Sequence, residues 1–574
     1  MAEASWVPAT SRPVIMGSRY MISAGHYLAA WAGAQILEAG GNAVDAGVAA
    51  GLCLNVLQTD MCNLGGVAPI CIFRAGTGTV ETISGLGWWP AATDPEIFRS
   101  RYGGRIGSGI HSSVIPAAAD AWLTALESYG TISFAAAARA ATELAEDGFP
   151  MHSVMLQSFE KWPRTREVFA RPDGSVPRLG ELVRQKELGR TLRLLADAEH
   201  GAQTRADGIR AARHRFYSGD IAEAMVKHSD REGGWLTMED LASFRVEVEA
   251  SVSVNYCGYD VHACGPWCQG PVVPMTLNIL KGYDIGSMAP RSSRLHHIVL
   301  EALKAAFADR ERYFGDPRYV QVPIDGLLAE DYGAQWRSRI KLSSASPGMP
   351  VPGDPWRHSA LSPPDGDDWR MPIPAAGSPR PDTTYVCVVD GEGNAFSATP
   401  SDGVSPSLHV SELGFSLSER GAQSWLDPDH PSAVGPGRRP RLTPSPGMVT
   451  QNGNLVMPFG TPGGDVQPQA MVQFLLNVVN FGMNVQAAME EPRCATYSFP
   501  LSSDPHPYAP GSVNIESRVG PDVIDSLREL GHVIEPWPAW TGTAGSLGAI
   551  YVDRASGVLH GAADPRRIAY AIGR

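Results

Sequence analysis

The sequence predicts a chain of mixed helix and strand, and three observations lead there. Residues 385–390 alternate: Val386, Val388 and Asp390 face one way, Tyr385, Cys387 and Val389 the other, the period-two pattern of a strand. Gly391–Asn394 read as a hairpin turn and Ala395–Thr399 as the returning strand. Near the N-terminus, Ala29, Ala32, Ile36 and Leu37 share one helical face, Gly40-Gly41 stop that helix, and Asn42 caps a second. The composition, 43% hydrophobic and 19% charged, is that of a globular chain able to bury a large core.

At 574 residues the length alone suggests three or four domains. The first segment that reads as a linker is Ser343–Asp382, rich in Pro, Gly, Ser and Asp and without periodicity. A net charge of −13 argues against nucleic acid as a partner, because phosphate backbones need clustered Lys and Arg. No run of 18 apolar residues exists to cross a membrane, and the first twenty residues lack an apolar signal core, so a cytoplasmic location is expected. The eight cysteines are scattered and read as reduced, structural thiols. Cys264-Gly-Pro-Trp-Cys268 has three intervening residues where a thioredoxin-type dithiol has two. The 15 histidines offer no HExxH spacing, and His296-His297, adjacent on a helix, point apart, so no metal is expected. No GxGxxG follows a strand, so no nucleotide cofactor is implied.

The chemistry centres on Thr383-Thr384 at the start of the alternating strand and on the run GTPGG at Gly460–Gly464. This pairing of DTT–strand–GNA with GTPGG resembles the gamma-glutamyltransferase family of N-terminal nucleophile hydrolases. Family-like segments recur in order over nearly the whole chain, among them Ala24–Ala50, Phe216–Val226, Gly233–Val248, Glu301–Pro317, Pro436–Val449, Leu476–Arg493 and Gly561–Arg567. The resemblance implies an α+β fold, a four-layer αββα sandwich with two stacked antiparallel sheets between helical layers. It also implies self-cleavage between Asp382 and Thr383. Residues 1–382, with 343–382 as a flexible tail, and residues 383–574 would then stay together as a heterodimer building one αββα unit. Scission frees an α-amino group at Thr383 with a reference pKa of about 7.7–8.0, low enough to take the proton from its own hydroxyl at neutral pH. Gly463 and Gly464, lacking Cβ atoms, suit close approach of backbone N–H groups to an oxyanion. Ser401 stands where the family has a hydroxyl supporting the nucleophile.

The chain departs from the family where the glutamyl head group is held. Leu86 replaces an arginine, Gln423 an aspartate, and Leu442 and Thr443 two serines, while Gly403 stands in place of an asparagine. Losing the charged partner of a buried carboxylate costs roughly 2–5 kcal/mol. The expectation is therefore an amidohydrolase whose acyl group is not gamma-glutamyl, acting on a small-molecule amide. Trp88 and Trp89 are expected to offer aromatic walls to it, while Asp402, Asp465 and Arg420 are candidates to orient polar groups. A gamma-glutamyl enzyme that uses Arg420 in place of the missing arginine is the alternative, and an uncleaved binding protein a further one.

Overall fold

A computed structural model describes residues 10–161, 163–171, 173–364, 370–371 and 383–574. Asp382, one side of the expected scission point, lies outside the described residues. Two seven-stranded sheets dominate, and every neighbouring pair in them is antiparallel. The first runs, in spatial order, Ile15–Gly17, Val558–Ala563, Gly548–Asp553, Asn454–Gly460, Gly447–Gln451, Tyr259–Ala263, Val252–Tyr256. The second runs Tyr570–Gly573, Met21–Ala24, Val386–Val389, Ala395–Ala398, Ile70–Arg74, Thr79–Ile83, Val248–Ala250.

The alternation read from the sequence decides which face meets which layer. Val386 and Val388 join the apolar cluster that the second sheet shares with the helices Tyr27–Glu38 and Ala43–Leu57. Tyr385, Cys387 and Val389 point the other way, into a cluster between the two sheets that also holds Met448, Leu455 and Ile550 of the first. On the far side of the first sheet, the helices Val272–Leu280, Ser293–Tyr313 and Gln467–Val479 build a third cluster. The result is helix, sheet, sheet, helix, the expected sandwich. Ala43–Leu57 is buried along its whole length, and its start is the expected one: Asn42 accepts from the Val44 and Asp45 amides while Asp45 reaches back to the Asn42 amide. That helix packs so tightly on the strand Ala395–Ala398 that a Cβ at Gly47 would stand 2.2 Å from the Phe396 ring.

Both sheets draw strands from either side of position 383. Val386–Val389 lies between Met21–Ala24 and Ala395–Ala398, and Ala395–Ala398 pairs in turn with Ile70–Arg74. A third, small sheet of Cys494–Thr496, Ser512–Glu516 and Val533–Trp537 flanks the cleft described below.

The stretch from Ser343 departs from expectation. Read as a flexible tail, its described part is tied down by buried side chains. Lys304 Nζ donates to the Ser346 carbonyl (2.9 Å), Glu301 accepts from the Ser346 amide (3.1 Å), and Asp309 accepts from the Gly353 amide (2.8 Å). Composition alone does not reveal anchors lying some 40 residues upstream on another helix. Residues 365–369 and 372–382 lie outside the described residues. Among the described residues no helix is long and apolar enough to cross a membrane.

Candidate active site

Thr383 stands at the entrance of the interior strand Val386–Val389 of the second sheet, 1% exposed. The Thr384 amide donates to the Pro400 carbonyl (3.0 Å), and the Thr383 carbonyl accepts from Arg567 Nη1 (3.2 Å), so the backbone is held on both sides. Thr383 Oγ1 lies 2.8 Å from Ser401 Oγ, and Ser401 Oγ accepts from Arg420 Nη2 at 2.6 Å. Ser401 is placed by its own amide, which donates to the Val67 carbonyl (3.0 Å). The next residue, Asp402, has φ of +80°, a left-handed turn uncommon outside glycine. This turn brings its carboxylate to Ser418 Oγ (2.5 Å) and the Glu419 amide (3.0 Å), with Arg420 Nε at 3.9 Å, while Asn63 Nδ2 donates to the Asp402 carbonyl.

Gly463 and Gly464 occupy the turn between the strand Asn454–Gly460 and the helix Gln467–Val479, with φ of +130° and +58°. Both are conformations that a Cβ disfavours. The turn is braced from behind. Gln269 Nε2 donates to both the Gly464 and Thr443 carbonyls (2.8 Å each), and its Oε1 accepts from Arg310 (3.1 Å). Arg310 also reaches Asp465 (2.5 Å), which accepts from the Ser502 amide and hydroxyl (2.9 and 2.6 Å). Asp465 is therefore committed to the frame. Glu311 beside it, fully buried, would be pushed up by desolvation, but Arg441 and Arg310 hold it well below the usual carboxylate range.

A cleft of about 640 Å³ joins these parts. Of the residues singled out from the sequence, Arg420, Gln423, Thr443, Gly463, Gly464 and Asp465 line it. Thr383 itself is not in the lining, but two lining residues connect to it: Arg567, bonded to it directly, and Arg420, bonded through Ser401. Gln423 is buried and turned onto its own surroundings. Its Nε2 donates to Thr443 Oγ1 (2.9 Å) and Ser503 Oγ (3.2 Å), and its Oε1 accepts from the Thr443 amide (3.1 Å).

Leu86, Trp88 and Trp89 are not brought to this cleft. Leu86, 1% exposed, lies in the apolar cluster between the sheets together with Leu442. Trp89 is fully buried, donating its indole N–H to Ser424 Oγ (3.0 Å) and packing on Phe98. Trp88 is half-buried between Phe244 and the Arg318 guanidinium. The expected aromatic wall is absent from the lining because the backbone here is pinned elsewhere: Ile115 donates to the Trp88 carbonyl and Trp89 to that of Arg438. Asp402 is likewise engaged by Ser418 and Glu419.

Three contributors escaped the sequence reading: Arg567, Gln269 and Asn63. Arg567 belongs to the GAADPRR segment singled out above, whose paired arginines were the available signal. Burial pulls its guanidinium below the usual arginine value, against the opposing pull of Asp60. Arg566, beside it, is consumed by Glu516 (2.6 Å) and Asp564 (3.2 Å).

Among the described residues, one group has the composition of a metal site: His297, Glu301 and His532, all buried, with ligand atoms within 4.8 Å. A cation already sits there, since Lys304 Nζ bonds Glu301 at 2.7 Å, and the two imidazoles bond each other at 2.9 Å. All eight cysteines are free thiols, although Cys71 comes within 3.9 Å of Cys264, across the gap between the sheets.

Comparison with known proteins agrees over the full length. A family model described as gamma-glutamyltranspeptidase matches residues 29–573. The glutathione hydrolase-like YwrD proenzyme of Bacillus subtilis is 31% identical over 97% of this chain and 99% of its own. An Acylase ACY 1 proenzyme of Pseudomonas sp. is 29% identical over 95% of this chain and 92% of its own. The crystal structure of a cephalosporin acylase from Bacillus halodurans superposes with a TM-score of 0.85 at 28% identity, covering 100% of this chain and 99% of that one. With its two stacked antiparallel sheets between helices, this chain is an autoprocessed amidohydrolase of the gamma-glutamyltranspeptidase family.

Proposed function

We propose that Thr383 is the nucleophile and that the acyl group it accepts is not gamma-glutamyl. The observation behind the second part is the set of bonds around Gln423. Both its N–H donors are spent on Thr443 and Ser503 and its oxygen accepts from the Thr443 amide, and the guanidinium of Arg420 lines the same cleft. An α-ammonium group entering beside Gln423 meets the Arg420 cation, and the two carboxylates at this end of the cleft are engaged, Asp465 by Arg310 and Ser502 and Asp402 by Ser418 and Glu419; Glu535, on the small third sheet, also lines the cleft. The partly related acylases are consistent with such a change of acyl group.

In maturation, Thr383 Oγ attacks the Asp382 carbonyl carbon, the peptide C–N bond breaks to leave an ester and a free α-amine, and water hydrolyses the ester. In turnover the α-amine takes the proton from Oγ as Oγ attacks the substrate carbonyl. The N–H groups of Gly463 and Gly464 receive the oxyanion. The proton then passes to the leaving amine, and water, deprotonated by the same α-amine, releases the acid. The fragments 1–382 and 383–574 stay associated because the sheets interleave strands from both. Free thiols fit a cytoplasmic location.

The test is intact mass measurement of the purified chain, then an amide panel of glutathione, gamma-glutamyl-, glutaryl- and phenylacetyl-p-nitroanilide. Two fragments split before Thr383, a single chain for Thr383→Ala, and kcat/KM favouring an ammonium-free acyl group are expected. Cleavage at another bond rejects the nucleophile; preference for the gamma-glutamyl compounds rejects the acyl assignment.

A further inference from the structure

We propose that Arg420 is a positioning residue for the nucleophile, acting through Ser401, and that its positive charge speeds both scission and turnover. The inference rests on Thr383 being the nucleophile but not on the identity of the acyl group. A guanidinium has only donors, so in the 2.6 Å contact Ser401 Oγ is the acceptor. The serine keeps one hydrogen of its own, and Thr383 Oγ1 lies 2.8 Å from the same oxygen. When Thr383 gives up its hydrogen on attack, the serine hydrogen is the one left between the two oxygens. Ser401 then donates to the nascent alkoxide, and Arg420, bonded to the back of that hydroxyl, strengthens the donor. Charge-assisted bonds of this kind are about twice as strong as neutral ones. Thr383 and Ser401 are at most 1% exposed and Arg420, at the cleft wall, 6%, which limits the screening of the charge by water.

The rest of the turn is arranged to seat the guanidinium. Asp402, held in its left-handed conformation, fixes Ser418 Oγ and the Glu419 amide, the two residues immediately before Arg420, and sets a carboxylate oxygen 3.9 Å from Arg420 Nε. The Ser418 carbonyl is in turn tied to the Val114 amide (3.0 Å). Two short sequences, Ser401-Asp402 and Ser418-Glu419-Arg420, thus interlock so that one arginine nitrogen meets one serine oxygen. A cation there serves the free α-amine as well. Repulsion between the two positive forms keeps the amine unprotonated at lower pH.

The experiment follows Arg420→Met, Arg420→Lys and Asp402→Asn in the full chain. Scission is read by denaturing electrophoresis over time. The pH profile of kcat is read on whichever panel anilide the wild type hydrolyses fastest. Arg420→Met is expected to slow scission and kcat on the order of 10²-fold, with KM little changed. It should also move the acid limb of the profile to higher pH by about one unit. Arg420→Lys keeps the charge and should keep the acid limb. Scission of Arg420→Met at the wild-type rate overturns the proposal, as does an acid limb common to wild type, Met and Lys variants. Should Arg420→Met fail to fold, Asp402→Asn decides: slower scission at unchanged melting temperature supports the relay, and unaltered scission removes it. A wild-type chain that never splits before Thr383 rejects the nucleophile assignment instead.

Discussion

Restoring the family's two recognition residues, Leu86→Arg with Gln423→Asp, looks on sequence alone like a route to gamma-glutamyl hydrolysis. The structure predicts failure, and for a calculable reason. Leu86 is 1% exposed in the cluster between the sheets with Leu442, so an arginine placed there leaves apolar contacts behind and brings a charge inside. Giving up a fully buried leucine costs about 1.5–3 kcal/mol, and an uncompensated buried charge about 3–5 kcal/mol. Gln423→Asp forfeits donation to Thr443 Oγ1 and Ser503 Oγ at about 1 kcal/mol each. Together this approaches the whole stability of an ordinary domain, about 5–15 kcal/mol. The assay is thermal melting of both single variants and the double, alongside hydrolysis of gamma-glutamyl-p-nitroanilide. Expected are a large loss of melting temperature that tracks Leu86→Arg, a smaller one for Gln423→Asp, and no gain in gamma-glutamyl turnover. A double variant that melts like the wild type and hydrolyses the gamma-glutamyl anilide about tenfold faster, worth about 1.4 kcal/mol, would refute the placement of Leu86 away from the donor.

The Gly463-Gly464 turn separates shape from donor. A Cβ at Gly464 meets nothing within 4 Å, so Gly464→Ala should cost only about 1 kcal/mol for its left-handed φ and retain turnover, the N–H being kept. Gly464→Pro removes the N–H and demands a φ of about −65°, so kcat should fall by about 10²–10³-fold; equal losses in the two variants would reject the oxyanion role. Asp309 anchors the Gly353 amide, and burial raises its carboxyl to about 6 despite bonds from Gly353, Tyr332 and Trp336. A folded value above the unfolded one means that its stabilising contribution is complete below about pH 4 and lost as pH rises through about 6. Denaturant unfolding should therefore show the advantage of wild type over Asp309→Asn shrinking between about pH 4 and 6 and level above that; a constant difference across this range would contradict the shift.

What the sequence reveals here is local, and what it hides is set by distance along the chain. The strand at 385–389 and the Asn42 cap were legible because alternation and capping act over a few residues. The Thr383–Ser401 contact was anticipated only through the family resemblance, which sets Ser401 in the place of a hydroxyl beside the nucleophile. Arg567 meets the Thr383 carbonyl from 184 positions away, and Gln269 meets Gly464 from 195. No periodicity records such contacts. The tryptophans mislead for a related reason: aromatic residues beside a site suggest a wall, but the Ile115 and Arg438 backbone contacts set where they point. Leu86 and Leu442 replace two polar residues of the family motif, and the pair makes sense only once both are seen in the same apolar cluster.

The sheets would hold the two fragments together on the proposed scission before Thr383. The strand after it is flanked by Met21–Ala24 from the first fragment and Ala395–Ala398 from the second, and backbone ladders run across both edges. The C-terminal strand Tyr570–Gly573 closes the sheet against Met21–Ala24, so that first-fragment strand is itself held on both sides by the second fragment. The described tail as far as Ala360 is fastened by Glu301, Lys304, Asp309 and Asp325. The proposed scission would therefore leave these ladders and anchors intact. What it would add is one α-amine on Thr383, whose hydroxyl is already bonded to Ser401 and whose carbonyl accepts from Arg567. With that frame already built in the uncut chain, the proposed maturation would need to supply only the base.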